Sequence, residues 1–180
     1  MNITLITGSP RKKGTTALLA DEFMRGAKEA GHEVFRFDAA HEKLSPCLGC
    51  DACRQGNRCC VHRDGMDQLN PALLASGAVV FVTPLYYFGM TTQLKTVIDR
   101  FYANNSALMK KPMIAALLCA CADEDASVLD ALVAHYKTIL DYLGWKDAGR
   151  VLATGCWQRE DIARTAFPAM AYELGKTFGA

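Results

Sequence analysis

Ile3-Thr4-Leu5-Ile6-Thr7-Gly8-Ser9-Pro10-Arg11-Lys12-Lys13-Gly14-Thr15-Thr16 is the stretch on which the reading of this chain turns. Ile3 to Thr7 is a short apolar, β-branched run ending at a glycine, which predicts a buried strand. From Thr15 to Ala30, Leu19, Phe23, Ala27 and Ala30 recur at helical spacing, and Gly31 supplies the stop. A loop between strand end and helix start gathers unpaired amides and the positive end of the helix dipole, so it is an anion site. Ser9, Thr15 and Thr16 add hydroxyl donors, and Arg11 adds charge.

What the loop lacks narrows the anion. A P-loop needs four residues between its glycines and a lysine after the second; here five residues separate Gly8 from Gly14, and Thr15 stands in the lysine's place. The G-x-G-x-x-G fingerprint is absent, and the third strand ends without an acidic residue for Mg²⁺. A hydroxyl-rich loop of this form suits a terminal monoester phosphate bound without metal, as in a mononucleotide such as FMN. Simple helix capping by Ser9 or Thr15 is the plainer alternative. Two glycines, three hydroxyls and an arginine converging after the first strand favour phosphate.

Outward from this loop, strands are predicted at His32 to Phe37, Ala78 to Val82, Met113 to Leu118 and Val151 to Thr154. Helical patterns run from Met66 to Ala75, Thr92 to Tyr102, Leu129 to Leu143 and Ile162 to Phe178, with Pro168 breaking or kinking the last. Strand-helix alternation predicts an α/β fold: a three-layer, open, doubly wound parallel five-stranded sheet, flavodoxin-like, in strand order 2-1-3-4-5. No repeat or linker marks a boundary, so residues 1–180 read as one flavodoxin-like FMN-binding domain with a Cys-rich loop at about 45–66.

The charge balance, 20 basic against 19 acidic residues, leaves a net charge of +1 and no footprint for nucleic acid or an anionic membrane. A 51% hydrophobic, 22% charged composition is that of a packed globular chain. No apolar stretch is long enough for a bilayer and no signal-peptide pattern opens the chain, so the expected location is cytoplasmic. No Ser-His-Asp or paired-carboxylate arrangement supports a hydrolase.

In such sheets ligands sit beyond the strand carboxyl ends where the order reverses, between strands one and three. Strand three runs into Pro84-Leu85-Tyr86-Tyr87-Phe88-Gly89-Met90. A planar ring can lie on that loop, its polar edges bonded to backbone set by Pro84 and Gly89, with Tyr86, Tyr87 or Phe88 against its face or edge. Three adjacent aromatics could equally fill space or make a subunit contact. Their place opposite the phosphate loop favours a cofactor.

The Gly8-Ser9-Pro10-Arg11 loop with Gly14-Thr15-Thr16, the segment Pro84 to Met90, and Gln93-Leu94-Lys95 through Asp99-Arg100 together resemble the NADPH-dependent FMN reductase/flavodoxin-like family. The cysteine-bearing insertion resembles that of its iron-sulfur flavoprotein branch. The resemblance implies FMN phosphate contacts from Ser9, Arg11, Gly14, Thr15 and Thr16. It implies ring contacts from Pro84, Leu85, Tyr86, Tyr87, Phe88 and Gly89, and a third contact region around Cys119 to Ala122. It further implies NAD(P)H as a co-substrate and a homodimer or homotetramer.

Five of the eight cysteines fall between Cys47 and Cys60. Cys47-x2-Cys50-x2-Cys53, followed by Cys59 or Cys60, brings four thiols into one short loop, a spacing that lets sulfurs converge on a [4Fe-4S] cluster. Structural zinc, metal-free redox thiols and inert cysteines remain open readings of the same spacing. The resemblance implies Cys60 as fourth ligand, with Cys59 the alternative, because Cys60 precedes Val61 and an Asp64-Gly65-Met66 segment like the family's acidic-Met pattern. Gly65 departs from that pattern. Cys119, Cys121 and Cys156 are expected as small buried residues, and His62 as a solvated loop residue.

The chain thus reads as an FMN-dependent oxidoreductase, NAD(P)H-linked or passing electrons through an iron-sulfur centre. Its electron donor and acceptor would be small molecules or proteins. A non-enzymatic electron carrier or redox sensor is the alternative. No side chain stands out as a catalytic acid or base.

Overall fold

Alternation along the strands decides how this protein is layered, and its third strand shows why. In the computed structural model, which describes residues 1–55 and 60–179, β3 (Ala78–Pro84) is buried at every position. Val79 and Phe81 face one core, where they meet Leu69 and Leu73 of α2 (Met66–Ala75), Leu94 and Val97 of α3 (Thr92–Arg100), and Leu132 and Tyr136 of α5 (Asp130–Leu143). Ala78, Val80 and Val82 face the opposite core, with Leu19 and Phe23 of α1 (Thr15–Glu29), Ile162 of α6 (Arg159–Ala163) and Ala171 of α7 (Phe167–Lys176). An apolar run without alternation is what a strand covered on both faces requires.

The remaining strands are β1 (Asn2–Thr7), β2 (Glu33–Asp38), β4 (Ile114–Ala120) and β5 (Lys146–Ala153), and a short α4 (Asn105–Met109) follows α3. All neighbours pair parallel, in the order β2-β1-β3-β4-β5. The expected doubly wound sheet is therefore present, and its order reverses between β1 and β3. The loops after those strands open on one edge of the sheet, and they carry the site.

Most boundaries fall within two residues of the sequence reading, and the larger differences lie in the last third of the chain. β5 begins at Lys146 rather than Val151, carrying a bulge opposite Ala115 and Ala116. The last helical stretch is broken into two helices, and Pro168 lies in the first turn of α7 rather than at a kink. Proline suits a first turn because its missing N–H has no acceptor there.

Helices α1 and α7 cross where Gly26 meets Gly175. A methyl on Gly26 would strike the Tyr172 carbonyl, and one on Gly175 would strike the Phe23 carbonyl. Both obstacles are backbone, so neither yields without moving a helix. Gly26→Ala is therefore expected to cost about 1–3 kcal/mol through overpacking, despite alanine's helix propensity, as a lowered urea midpoint with unchanged m-value.

Candidate functional site

The loop between β1 and α1 is built to leave donors free. Helix α1 starts at Thr15 with Gly14 at its N-cap, and no side chain caps it among the described residues. Its first-turn amides consequently have no intrahelical acceptor and point into the loop. Ser9 is buried, and its Oγ accepts from the Arg11 amide at 3.2 Å, which leaves the hydroxyl proton for another oxygen. A Cβ on Gly14 would stand 3.1 Å from Arg11 Cβ, so any larger residue there would press on Arg11. Arg159 of α6 donates to Gly14 O at 3.4 Å and adds a second cation beside Arg11.

Across the crevice, Tyr86 and Gly89 exchange backbone bonds of 3.0 and 3.1 Å, closing a tight two-residue turn. Tyr87 (φ 46°) and Phe88 (φ 61°) both occupy the left-handed region, which such a turn demands and bulky residues resist. The turn's base is pinned beneath. Thr91 N–H donates to Thr83 Oγ1 at 3.0 Å, and Thr91 Oγ1 donates to Gly8 O at 2.9 Å while also capping α3. Thr91 thereby ties this turn to the phosphate loop.

One cleft of about 380 Å³ joins the two loops: Ser9, Arg11, Gly14 and Thr15 line one end, and Pro84, Leu85, Tyr86 and Tyr87 the other. Its third wall is Ala120 to Ala122 with Cys156 and Trp157. Phe88 lines a shallower adjoining recess with Leu85, Tyr87 and Cys121, while Gly89 serves the turn rather than the cleft. Thr16 is turned away into a separate polar recess with Thr7, Arg36, Asp38 and His41, which also reaches Ser9 and Arg11. The donor set, hydroxyls and amides at one end and an apolar slot at the other, fits a nucleotide monophosphate carrying a flat ring.

Cys119 is buried within the sheet, but Cys121 and Cys156, expected only as buried filler, are both buried and line the cleft. Burial first, then Asp123 and Cys156, pushes the Cys121 thiol up; burial, then Asp161, does the same for Cys156.

The cysteine segment is fastened at its base. Arg100, at the end of α3, and Asp64 form a pair whose side chains are 2% and 3% exposed, with Nη1 2.8 Å from Asp64 Oδ2. Arg100 Nη1 also donates to Ser45 O at 2.7 Å, and the carboxylate accepts from the amides of Ser45 and Met66 at 3.0 and 3.1 Å. Both ends of the loop are thus tied to one ion pair. Burial pushes Asp64 up, but the Arg100 guanidinium and these two amides hold its carboxyl below the usual range.

Cys47 and Cys50 are exposed, and Cys53 and Cys60 half-buried. Burial raises the Cys53 thiol first, and Cys60, Cys47 and Cys50 each raise it further. Cys59 lies outside the described residues. Four thiols suit iron in kind, yet among the described residues no three potential ligands stand gathered as a metal site. His62 is half-buried rather than solvated, with Nε2 lacking a partner among the described residues.

A sequence profile of the NADPH-dependent FMN reductases matches residues 1–158. The chain belongs to the NADPH-dependent FMN reductase family. An iron-sulfur flavoprotein of Archaeoglobus fulgidus is 38% identical to it over 95 residues, covering 53% of this chain and 43% of that protein. One from Methanocaldococcus jannaschii is 35% identical over 114 residues, covering 63% and 56%. The chain spans about half the length of the curated relatives it matches. The solved NAD(P)H:quinone oxidoreductase from Methanothermobacter marburgensis shares the fold, with a TM-score of 0.79 over 100% of this chain and 96% of that one at 17% identity.

This member of the FMN reductase family stores strain in its aromatic turn. Placing a bulky residue in the left-handed region costs about 1–2 kcal/mol, and two such residues stand side by side. Phe88→Gly is expected to raise the stability of the ligand-free protein by about 1 kcal/mol. It should narrow the stabilisation that added FMN gives, and melting curves with and without FMN check both signs.

Proposed function

We propose that this protein is an FMN-dependent oxidoreductase drawing electrons from NAD(P)H. The observation that carries the reading is the single cleft in which the phosphate loop and the aromatic turn face each other. Ser9, Arg11, Thr15 and the first-turn amides of α1 would hold the phosphate; Thr16 would contribute its amide. Pro84 to Tyr87 and the Cys121-Ala122 and Cys156-Trp157 wall would hold the ring, with Gly89 closing the turn. FMN, when bound, supplies hydride and single-electron chemistry, and the chain's own task is to bind it, orient it and set its surroundings.

Tyr87 is fully exposed, and Phe88 and Trp157 are 59% and 64% exposed, around the cleft mouth. They offer apolar surface to a nicotinamide, a quinone or a second copy of the chain, and a homodimer or homotetramer belongs to the same reading. We read residues 1–180 as one FMN-binding domain. We place it in the cytoplasm, in keeping with the free described cysteines. No helix among the described residues is long and apolar enough to cross a membrane.

Cys47, Cys50, Cys53 and Cys60 are the residues that would hold a [4Fe-4S] centre, which transfers single electrons. The names of the archaeal relatives support this, and so does the spacing of the four cysteines within one short loop.

Anaerobic purification with an absorbance spectrum and iron analysis, followed by NAD(P)H oxidation with a quinone, tests the reading. Expected are one flavin and about four irons per chain, with steady turnover. A colourless protein that takes up no FMN contradicts the function. Flavin without iron removes only the cluster, and flavin without turnover on either nucleotide turns the reading to an electron carrier.

A further inference from the structure

Between the start of α1 and the segment that follows β5 lies a recess of about 370 Å³, within the usual size of a small-molecule site. It adjoins the phosphate end of the flavin cleft, with which it shares Arg11 and Trp157, and it adds Lys13, Arg159 and Glu160. Three cations against one carboxylate is a local excess in a chain whose net charge is only +1. A flavin phosphate accounts for Arg11 but leaves Lys13 and Arg159 over. Lys13 is exposed and pairs with no carboxylate among the described residues. Arg159 is set in place from behind: Nη1 donates to Gly14 O at 3.4 Å, and Nη2 lies 4.0 Å from Asp21, whose carboxylate meets Arg36 more closely at 2.8 Å.

Trp157, where recess and cleft meet, is held as firmly. The Cys156 amide before it donates to Cys121 O at 2.8 Å, and the Gln158 amide after it donates to Asp161 Oδ2 at 2.7 Å in a reciprocal cap on α6. Between these anchors the indole is nevertheless 64% exposed. The chain's other tryptophan, Trp145, is buried with its N–H bonded to Leu108 O. A large apolar ring fixed in water beside a cationic recess is surface for a ligand that carries both a flat base and a negative charge.

We infer that this recess receives the adenosine end of the nicotinamide dinucleotide, the adenine stacking on Trp157 while Lys13 and Arg159 hold a phosphate carried on its ribose. The inference rests on the proposed function and deepens it, since it names the 2′-phosphorylated dinucleotide as the electron donor. A nicotinamide laid on the flavin ring can trail its adenosine toward the phosphate loop, and the recess opens at that end. Stacking on an indole is indifferent to a ribose phosphate, whereas a dianion gains from two cations, most of all from a guanidinium fork. Affinity for the base therefore belongs to Trp157, and discrimination to Lys13 and Arg159.

Calorimetry on the FMN-saturated full chain tests this with two probes that differ only in the 2′-phosphate, adenosine 2′,5′-bisphosphate and 5′-AMP. Wild type should bind the bisphosphate at least about tenfold more tightly, because charge-assisted bonds to a phosphate contribute that factor or more. Lys13→Gln, on a side chain outside the flavin's contacts, should cost roughly tenfold for the bisphosphate and leave 5′-AMP unchanged. Adding Arg159→Gln should bring the two probes level. Trp157→Ala should weaken both by roughly tenfold and keep their ratio, since either base loses the same stacking face. In turnover, Lys13→Gln should raise KM for NADPH and leave the constants for NADH in place. A ratio near one in wild type, or one unmoved by Lys13→Gln/Arg159→Gln, overturns the inference and leaves FMN-dependent oxidation intact. A dimer that Trp157→Ala dissociates, with nucleotide affinities unchanged, overturns it too and gives the indole to a second copy. A chain that takes up no FMN overturns the proposed function, and the inference falls with it.

Discussion

Asp64→Ala is expected to lower stability by about 3–5 kcal/mol, because it strands the Arg100 charge in the interior. The Arg100 side chain is 2% exposed, so water cannot replace the lost carboxylate without opening the loop base. The amides of Ser45 and Met66 lose their acceptor in the same step. Urea unfolding at pH 7 reads the loss directly. The pH dependence carries a second signature. A carboxyl held below its ordinary pKa contributes stability that is full above that value and declines as pH falls through the depressed one. The gap between wild type and Asp64→Ala should therefore be constant from pH 7 to about pH 5 and shrink below about pH 4. A gap that instead widened with acid would mean that Asp64 is not the depressed group.

Ser9→Ala combined with Thr15→Val should weaken FMN binding by roughly 10²–10⁴-fold. Two hydroxyl donors to a charged phosphate contribute about 1.5–3 kcal/mol each, and 1.4 kcal/mol is tenfold. Riboflavin, lacking the phosphate, should bind both proteins alike. The fold should tolerate the change, because among the described residues the one partner of Ser9 Oγ is the Arg11 amide, from which it accepts. Titration of flavin fluorescence separates the two ligands. Equal losses for FMN and riboflavin would place these hydroxyls away from the phosphate.

The fold was legible wherever a strand is buried on both faces. Ala78 to Val82 is apolar without interruption, Ile3 to Thr7 is apolar but for its buried threonines, and both are inner strands. β5 was half-read because it is an edge strand: Lys146, Asp147 and Arg150 belong to an exposed edge, and the bulge breaks their alternation. The phosphate loop and the aromatic turn were legible from their residue types. Thr16 was not separable from Thr15, since successive helical residues point roughly 100° apart and the outer one meets the cleft. Of the third wall, the stretch around Cys119 to Ala122 was expected, but the part after β5 escaped notice for another reason. Cys156, Trp157 and Arg159 follow β5 with no periodic pattern, and only the pairing that continues past the strand ends brings them in, as when the Cys156 amide donates to Cys121 O. Their position just past a strand's carboxyl end was the one available signal. The Arg100–Asp64 tie could not be read at all, because it joins residues 36 positions apart through a burial that composition does not announce.

On the proposed function, one cleft grips a flavin by its phosphate. Calorimetric titration of the FMN-free wild-type chain with FMN and, separately, with riboflavin tests it most directly. One FMN per chain is expected, bound at least about 100-fold more tightly than riboflavin. Equal affinities, or no saturable FMN binding, would contradict it.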